Sequence, residues 1–219
     1  MRILIRIVSV VVAICIPVAA ILSSLNTVLR LPDLYVYEFN SVEIASEIDL
    51  DITDDELGHF FSDFMKGKND KFDLFAEYRD REQSVFGHIE QLNMENARKI
   101  LNHTIYVLAV ASLLLTVSYW IMLAKRRKFE LRNAFKGGIM VFAVLQILQY
   151  ALFYSDNAKS LFYGLIFINP YGADDVLPLI FTEHFAWLCI AANSIVAAVI
   201  LLIFASITWR LTKPRRMFW

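Results

Sequence analysis

The 219-residue sequence has little of what soluble enzymes usually draw on for chemistry: 2 cysteines, 5 prolines, 7 glycines and 4 histidines. Cys15 and Cys189 both fall inside long apolar runs, so neither a disulfide framework nor a thiolate metal site is expected. No two histidines have the spacing of a zinc motif such as HExxH. The glycines form no phosphate-binding loop, no serine sits in a nucleophile elbow, and there is no internal repeat or low-complexity run. No metal and no cofactor are therefore expected.

Apolar residues are in excess. They make up 58% of the chain, and the mean hydropathy is +0.51, too high for an ordinary soluble domain. They are also bunched, at 7–25, 105–124, 139–154 and 185–209. The first, second and fourth runs have about the 20 residues needed to cross a ~30 Å hydrocarbon core. The third reaches that length only if 134–138 belongs to its helix. The start of the chain has some features of a signal peptide, but its apolar run is longer than a signal core, so an uncleaved anchor is the better reading.

The expected fold class is membrane α-helical: four transmembrane helices, with a small, mostly helical extracytoplasmic domain between helices 1 and 2. The expected division is helix 1 at 1–25, an extracytoplasmic domain at 26–102 and helix 2 at 103–124. A basic cytoplasmic loop at 125–136 leads to helix 3 at 137–154, then an aromatic extracytoplasmic loop at 155–184. Helix 4 at 185–209 and a basic cytoplasmic tail at 210–219 complete it.

Charge sets the orientation. Lys125, Arg126, Arg127, Lys128, Arg132 and Lys136 face one acid, Glu130, and the tail carries Arg210, Lys213, Arg215 and Arg216 with no acid. Short basic loops stay cytoplasmic, which puts both termini inside a multi-pass cytoplasmic-membrane protein. Segment 26–102, with 17 acids and 8 bases, then faces outward. The basic runs suit anionic lipid headgroups. With so little soluble mass on the inner side, nucleic acid is not an expected partner.

Within 26–102, the stretch 34–39 (LYVYEF) has the aromatic and β-branched content of a short strand or extended segment. Thr53 and Glu56 form a capping box, Gly67 suits a helix end, and Leu57, Phe60, Phe61, Phe64 and Met65 recur as one apolar stripe. The stripe needs a partner: the outer leaflet, an acyl chain or the rest of the domain. His59 lies off it and is expected in solvent. A second helix is expected from about Ser84 towards the second span, with Phe86, Ile89, Ala97 and Ile100 on one side. Glu90, Asn93 and Asn96 fall in or beside that sector, while His88, Glu95 and Lys99 lie opposite. Polar groups on a covered face need partners. Either a structural hydrogen-bond network or a ligand-facing cluster satisfies that need.

The segment 161–185 (LFYGLIFINPYGADDVLPLIFTEHF) is too aromatic for an exposed loop, and Pro170, Gly172 and Pro178 break it. Asp174, Asp175, Glu183 and His184 put ionisable groups beside Phe162, Tyr163, Phe167 and Tyr171. Irregular backbone near a membrane requires protein or a wet cavity to satisfy its amides, so a site is sought here.

DITDDELGHFFSDFMKG, FGHIEQLNMENARKIL and DDVLPLIFTEHF together resemble the bacterial lipoprotein intramolecular transacylase (Lit) family. The second stretch is similar to the family pattern at Phe86, Glu90, Met94 and Arg98, with Asn96 where the family has Asp. The last loop is similar at Phe162, Phe167, Asp175, Leu177, Phe181, Glu183 and Phe185. The resemblance implies transfer of an acyl chain from the diacylglyceryl ester of a lipoprotein's N-terminal cysteine to that cysteine's amine, with membrane lipids and diacylated lipoproteins as partners. It also implies two outer-side histidines, and their positions hold Asn93 and Tyr163 here. An Asn cannot act as a base. His184 and His88 are then the candidate catalytic groups, with His184 preferred because a neighbouring carboxylate, Glu183, is placed to orient it. Glu90, Asn93, Asn96, Tyr163, Asp175 and Glu183 are the candidate substrate-binding residues. Two readings stay open, a transacylase with relocated groups and a non-catalytic relative that binds acylated lipid or lipoprotein or assists another membrane protein. A purely structural subunit has no specific support, and oligomeric state is not legible. Convergence of a histidine with Glu90, Asn93 and Tyr163 around a lipid-sized cavity separates the two readings.

Overall fold

The computed structural model describes residues 2–78, 81–172 and 175–213, and the side chains of all of them except 77, 78, 81, 82, 162 and 165. Asp174, Arg215 and Arg216 lie outside the described residues, as does the Phe162 side chain. The chain is nearly all helical. Four helices are long and apolar enough to cross a membrane: α1 (Arg2–Val28), α5 (His88–Ala124), α6 (Lys128–Phe153) and α9 (Glu183–Thr212). Between them lie α2 (Pro32–Val42), α3 (Ile44–Glu47), α4 (Asp54–Lys66), α7 (Asp156–Ile166), α8 (Leu177–Ile180) and one antiparallel hairpin, β1 (Phe75–Tyr78) with β2 (Arg81–Ser84), in which Phe75 faces Ser84. α6 starts at Lys128, so 134–138 does belong to the third span and most of the basic segment is helical. The reversal is tight, with Arg126 in the left-handed region at φ 55°.

The chain forms two compact units. The first comprises 1–25, 104–152 and 193–219. Its core holds Val12, Ile16, Met122, Leu131 and Ala197, all fully buried. Trp120, Met140, Ile147 and Leu202 are each about 70% exposed, an arrangement suited to hydrocarbon rather than water. The few polar groups inside pair across helices: Ser24 Oγ donates to Asn193 O at 2.6 Å, and the Tyr119 and Thr208 hydroxyls are 2.8 Å apart.

The second unit comprises 26–103 and 153–192. Residues 34–39 are helical, not a strand. Pro32 occupies the first turn after extended Leu31, and the apolar positions Leu34, Tyr35 and Phe39 fall on one helical face, a pattern hidden by the local alternation of aromatic residues. α4 starts at the Thr53–Glu56 capping box and ends at Gly67 (φ 82°), as its sequence predicts. Its phenylalanine stripe is covered by protein. Phe61 contacts the rings of Tyr35, Phe39, Phe72, Phe86 and Phe181, and Phe64 meets Phe72. α2 approaches so closely that a Cβ on Gly58 would lie 2.8 Å from the Val36 backbone nitrogen. Arg98 on α5 lies over the Phe64 ring at 4.1 Å and donates to Asn69 O and Asp70 O, tying down the chain after α4.

The helix expected near Ser84 starts at His88, because the hairpin occupies 75–84. Ile89 and Ile100 are exposed, not buried; the covered face runs through Glu90, Asn93, Met94 and Leu101. His59 is exposed.

Truncating a fully buried Phe costs about 3–5 kcal/mol. Phe64→Ala is expected to lower the unfolding temperature of the detergent-solubilised protein clearly. Phe75→Ala, at a 65% exposed ring, should leave it nearly unchanged, and equal effects would contradict this packing.

Candidate functional site

The backbone of 166–172 and 175–177, between α7 and α8, is held by side chains from the start of α5. The Glu90 carboxylate, 1% exposed, accepts from three backbone amides: Gly87 N at 2.7 Å, Val176 N at 2.7 Å and Leu177 N at 2.6 Å. Burial raises the pKa of this carboxyl, with the amide donors opposing and Asp175 adding to the rise. Glu90 lies on the first turn of α5, well before the apolar stretch. One turn on, fully buried Asn93 receives Asn169 N on its Oδ1 at 3.0 Å and donates Nδ2 to Asn169 O at 3.0 Å. Asn96 Nδ2 donates to Ile166 O at 2.7 Å. Asp175 closes the next turn by accepting from Gly172 N at 2.6 Å. Of the two outcomes open for these polar residues, the geometry is that of a backbone-binding network.

The segment so fixed borders an open cavity of about 450 Å³, lined by Tyr163, Phe167, Asn169, Tyr171, Pro178 and Phe181, with Lys159 and Glu183 in its wall. Tyr163 stacks on Phe167 with centroids 6.2 Å apart. Burial raises the pKa of both Tyr163 and Tyr171, so their hydroxyls stay protonated at neutral pH. Lys159 Nζ sits 2.7 Å from Glu183 and 3.1 Å from Asp156. This pairing lowers the Glu183 pKa and raises that of Lys159.

His184 adjoins Glu183 of the cavity wall, but its partner is not Glu183. Its Nδ1 lies 2.8 and 3.0 Å from the two carboxylate oxygens of Glu38 on α2. Glu38 is buried; the imidazole is 69% exposed. An Nδ1 on a carboxylate fixes the ring and leaves Nε2 as the working nitrogen. Sequence reading missed Glu38 because 34–39 was taken as a strand; on a helix it is an acid between Tyr35 and Phe39, a charge needing a partner. Lys159 and Asn169 were also missed. Neither His88, which is exposed, nor His184 lines the cavity, and Glu90 and Asn93 stand behind its wall.

The family model for "Lipoprotein intramolecular transacylase Lit" matches residues 10–172. The chain belongs to the Lit family. No curated protein matches it. Two membrane-integral structures of the Bacillus cereus transacylase, carrying a histidine-to-arginine and a histidine-to-alanine substitution, each superpose with TM-score 0.75 at 19% identity. They cover 98% of this chain and 94% and 96% of theirs. A third structure of that protein gives 0.74 at 18% identity over both full lengths. At such identity the likeness is one of fold. Together with its four apolar helices, family membership makes the chain a multi-pass membrane protein of transacylase type.

Glu90→Gln keeps the acceptor for Val176 and Leu177 but turns an N–H towards Gly87 N, and a buried donor left unmade costs about 1–3 kcal/mol. Because the folded-state pKa is raised, Glu90 contributes its full stabilisation below the ordinary carboxylate range, near pH ~4, and loses it as pH climbs through the raised value. Unfolding temperatures should therefore show the wild type's advantage over Glu90→Gln shrinking as pH rises from there. An advantage that grows with pH would show the amide donors outweighing burial and contradict the raised pKa.

Proposed function

We propose that this Lit-family protein acts on acylated lipoproteins as an intramolecular transacylase, with His184 as base, Glu38 holding it, and the aromatic cavity receiving acyl chain. The supporting observation is the Glu38–His184 pair, at 2.8 Å. A carboxylate buried among aromatic rings is costly unless it has a partner, and here that partner is an exposed imidazole one residue from the cavity wall. The basic segments 125–136 and 210–219 support an orientation with both termini cytoplasmic. In this reading 26–102 and 155–184 face outward, the cavity opens at the outer surface of the cytoplasmic membrane, and acyl chains enter from the outer leaflet.

In the reaction, the cysteine amine attacks the ester carbonyl carbon. A C–N bond forms and the ester C–O bond to the glyceryl oxygen breaks. His184 Nε2 takes the proton shed by nitrogen and returns it to the leaving oxygen, so nothing is oxidised or reduced. The protonated hydroxyls of Tyr163 and Tyr171 are the candidate donors to the carbonyl oxygen as it gains charge. His88 has no part in this account.

A second reading, a non-catalytic relative that binds acylated lipid or lipoprotein, is favoured by the cavity lining, which includes no histidine, and by the full engagement of Asn93 with Asn169.

Lipoprotein mass profiles from cells with and without the protein separate the two. The first reading predicts the N-acyl lyso form with wild type, cut about 10²–10⁴-fold in rate by His184→Gln. Glu38→Gln should cause a smaller loss and a shifted pH profile, at unchanged protein level. Absence of the lyso form with wild type supports the binder. Product formed at the wild-type rate after His184→Gln alone contradicts the assignment of the base.

A further inference from the structure

We propose that the end of the first unit where α6 begins and α9 finishes carries a binding site for the anionic headgroup of a phospholipid, built on Arg132. The Arg132 guanidinium lies over the Trp209 ring at 4.4 Å, and its Nε donates to Thr212 Oγ1 at 2.7 Å. Thr212 is 4% exposed and is itself anchored by donating to Thr208 O at 2.7 Å. The guanidinium is thus fixed on one face by an indole and on one edge by a buried hydroxyl. Its two terminal nitrogens have no acceptor among the described residues, and the fork they form matches phosphate oxygens.

The surroundings select for anion. Lys128 and Lys136 stand one turn to either side of Arg132 on α6, while Arg210 is on the last turn of α9 and Lys213 directly follows that helix. The one acid in 125–136, Glu130, is taken by Arg127 at 3.0 Å. The ligand is a lipid because the site ends two membrane-length apolar helices. Ile195, Leu202 and Trp209, each seven residues apart, form one exposed stripe, at 66%, 68% and 62%. Beside it an open trough of about 390 Å³ runs from Val199 through Leu202 and Ile203 to Arg210. Acyl chains lying along this face bring a phosphate to the cationic end.

The test uses the full-length protein in detergent micelles doped with phosphatidylglycerol, with phosphatidylcholine, or with inorganic phosphate alone, reading unfolding temperature and bound lipid by native mass spectrometry. Phosphatidylglycerol is expected to stabilise the wild type and be retained over phosphatidylcholine. Arg132→Gln should weaken that preference roughly tenfold, Arg132→Lys should weaken it in part, and Lys125→Gln should leave it intact. If Arg132→Gln does not fold, Arg132→Lys decides: it keeps the charge but lacks the fork, so an undiminished preference overturns the site. Equal losses in Lys125→Gln and the Arg132 variants also overturn it, reducing the effect to a diffuse field. Stabilisation by inorganic phosphate matching that of the lipid overturns the lipid assignment.

Discussion

The second unit depends on satisfying the backbone of 166–177. Its described residues, 166–172 and 175–177, join α7 to the four-residue α8 and form no strand ladder. A buried donor or acceptor left without its hydrogen bond costs about 1–3 kcal/mol. Glu90, Asn93 and Asn96, on successive turns of α5, supply the missing partners. A buried carboxylate accepting three amide protons suits this role because neutral side chains offer fewer acceptor sites. The cavity wall formed by Asn169, Tyr171 and Leu177 is held in place by these contacts.

This explains what has become of the position where the family resemblance implies a histidine. Asn93 spends its amide oxygen and nitrogen on the backbone of Asn169, a clamp where a base is implied. At the second such position, Tyr163 offers a protonated hydroxyl, a donor rather than a base. The histidine with a base's surroundings is His184, whose carboxylate partner comes from α2, 146 residues away in sequence.

Periodicity made the four long helices, the α4 stripe and its capping box legible, because these depend on residues within a few turns of one another. The α2 helix escaped because LYVYEF has the aromatic and β-branched content of a strand or extended segment, while its helical face shows only once Pro32 fixes the start. The hairpin at 75–84 escaped because short strands carry weak local signals. At the site, Glu90, Asn93 and Asn96 were legible as covered polar residues, but whether they faced a ligand or backbone depended on chain 70 or more positions distant. Glu38 escaped because its stretch reads as a strand or extended segment and its partner, His184, lies 146 positions away.

The most direct measurement is turnover by the purified protein in lipid of a synthetic diacylglyceryl-cysteine peptide, followed by tandem mass spectrometry. The account predicts a product of unchanged mass with one acyl chain moved from glyceryl oxygen to the α-nitrogen, formed by wild type and lost with His184→Gln. Peptide that binds but keeps both ester-linked chains would contradict the transacylase account.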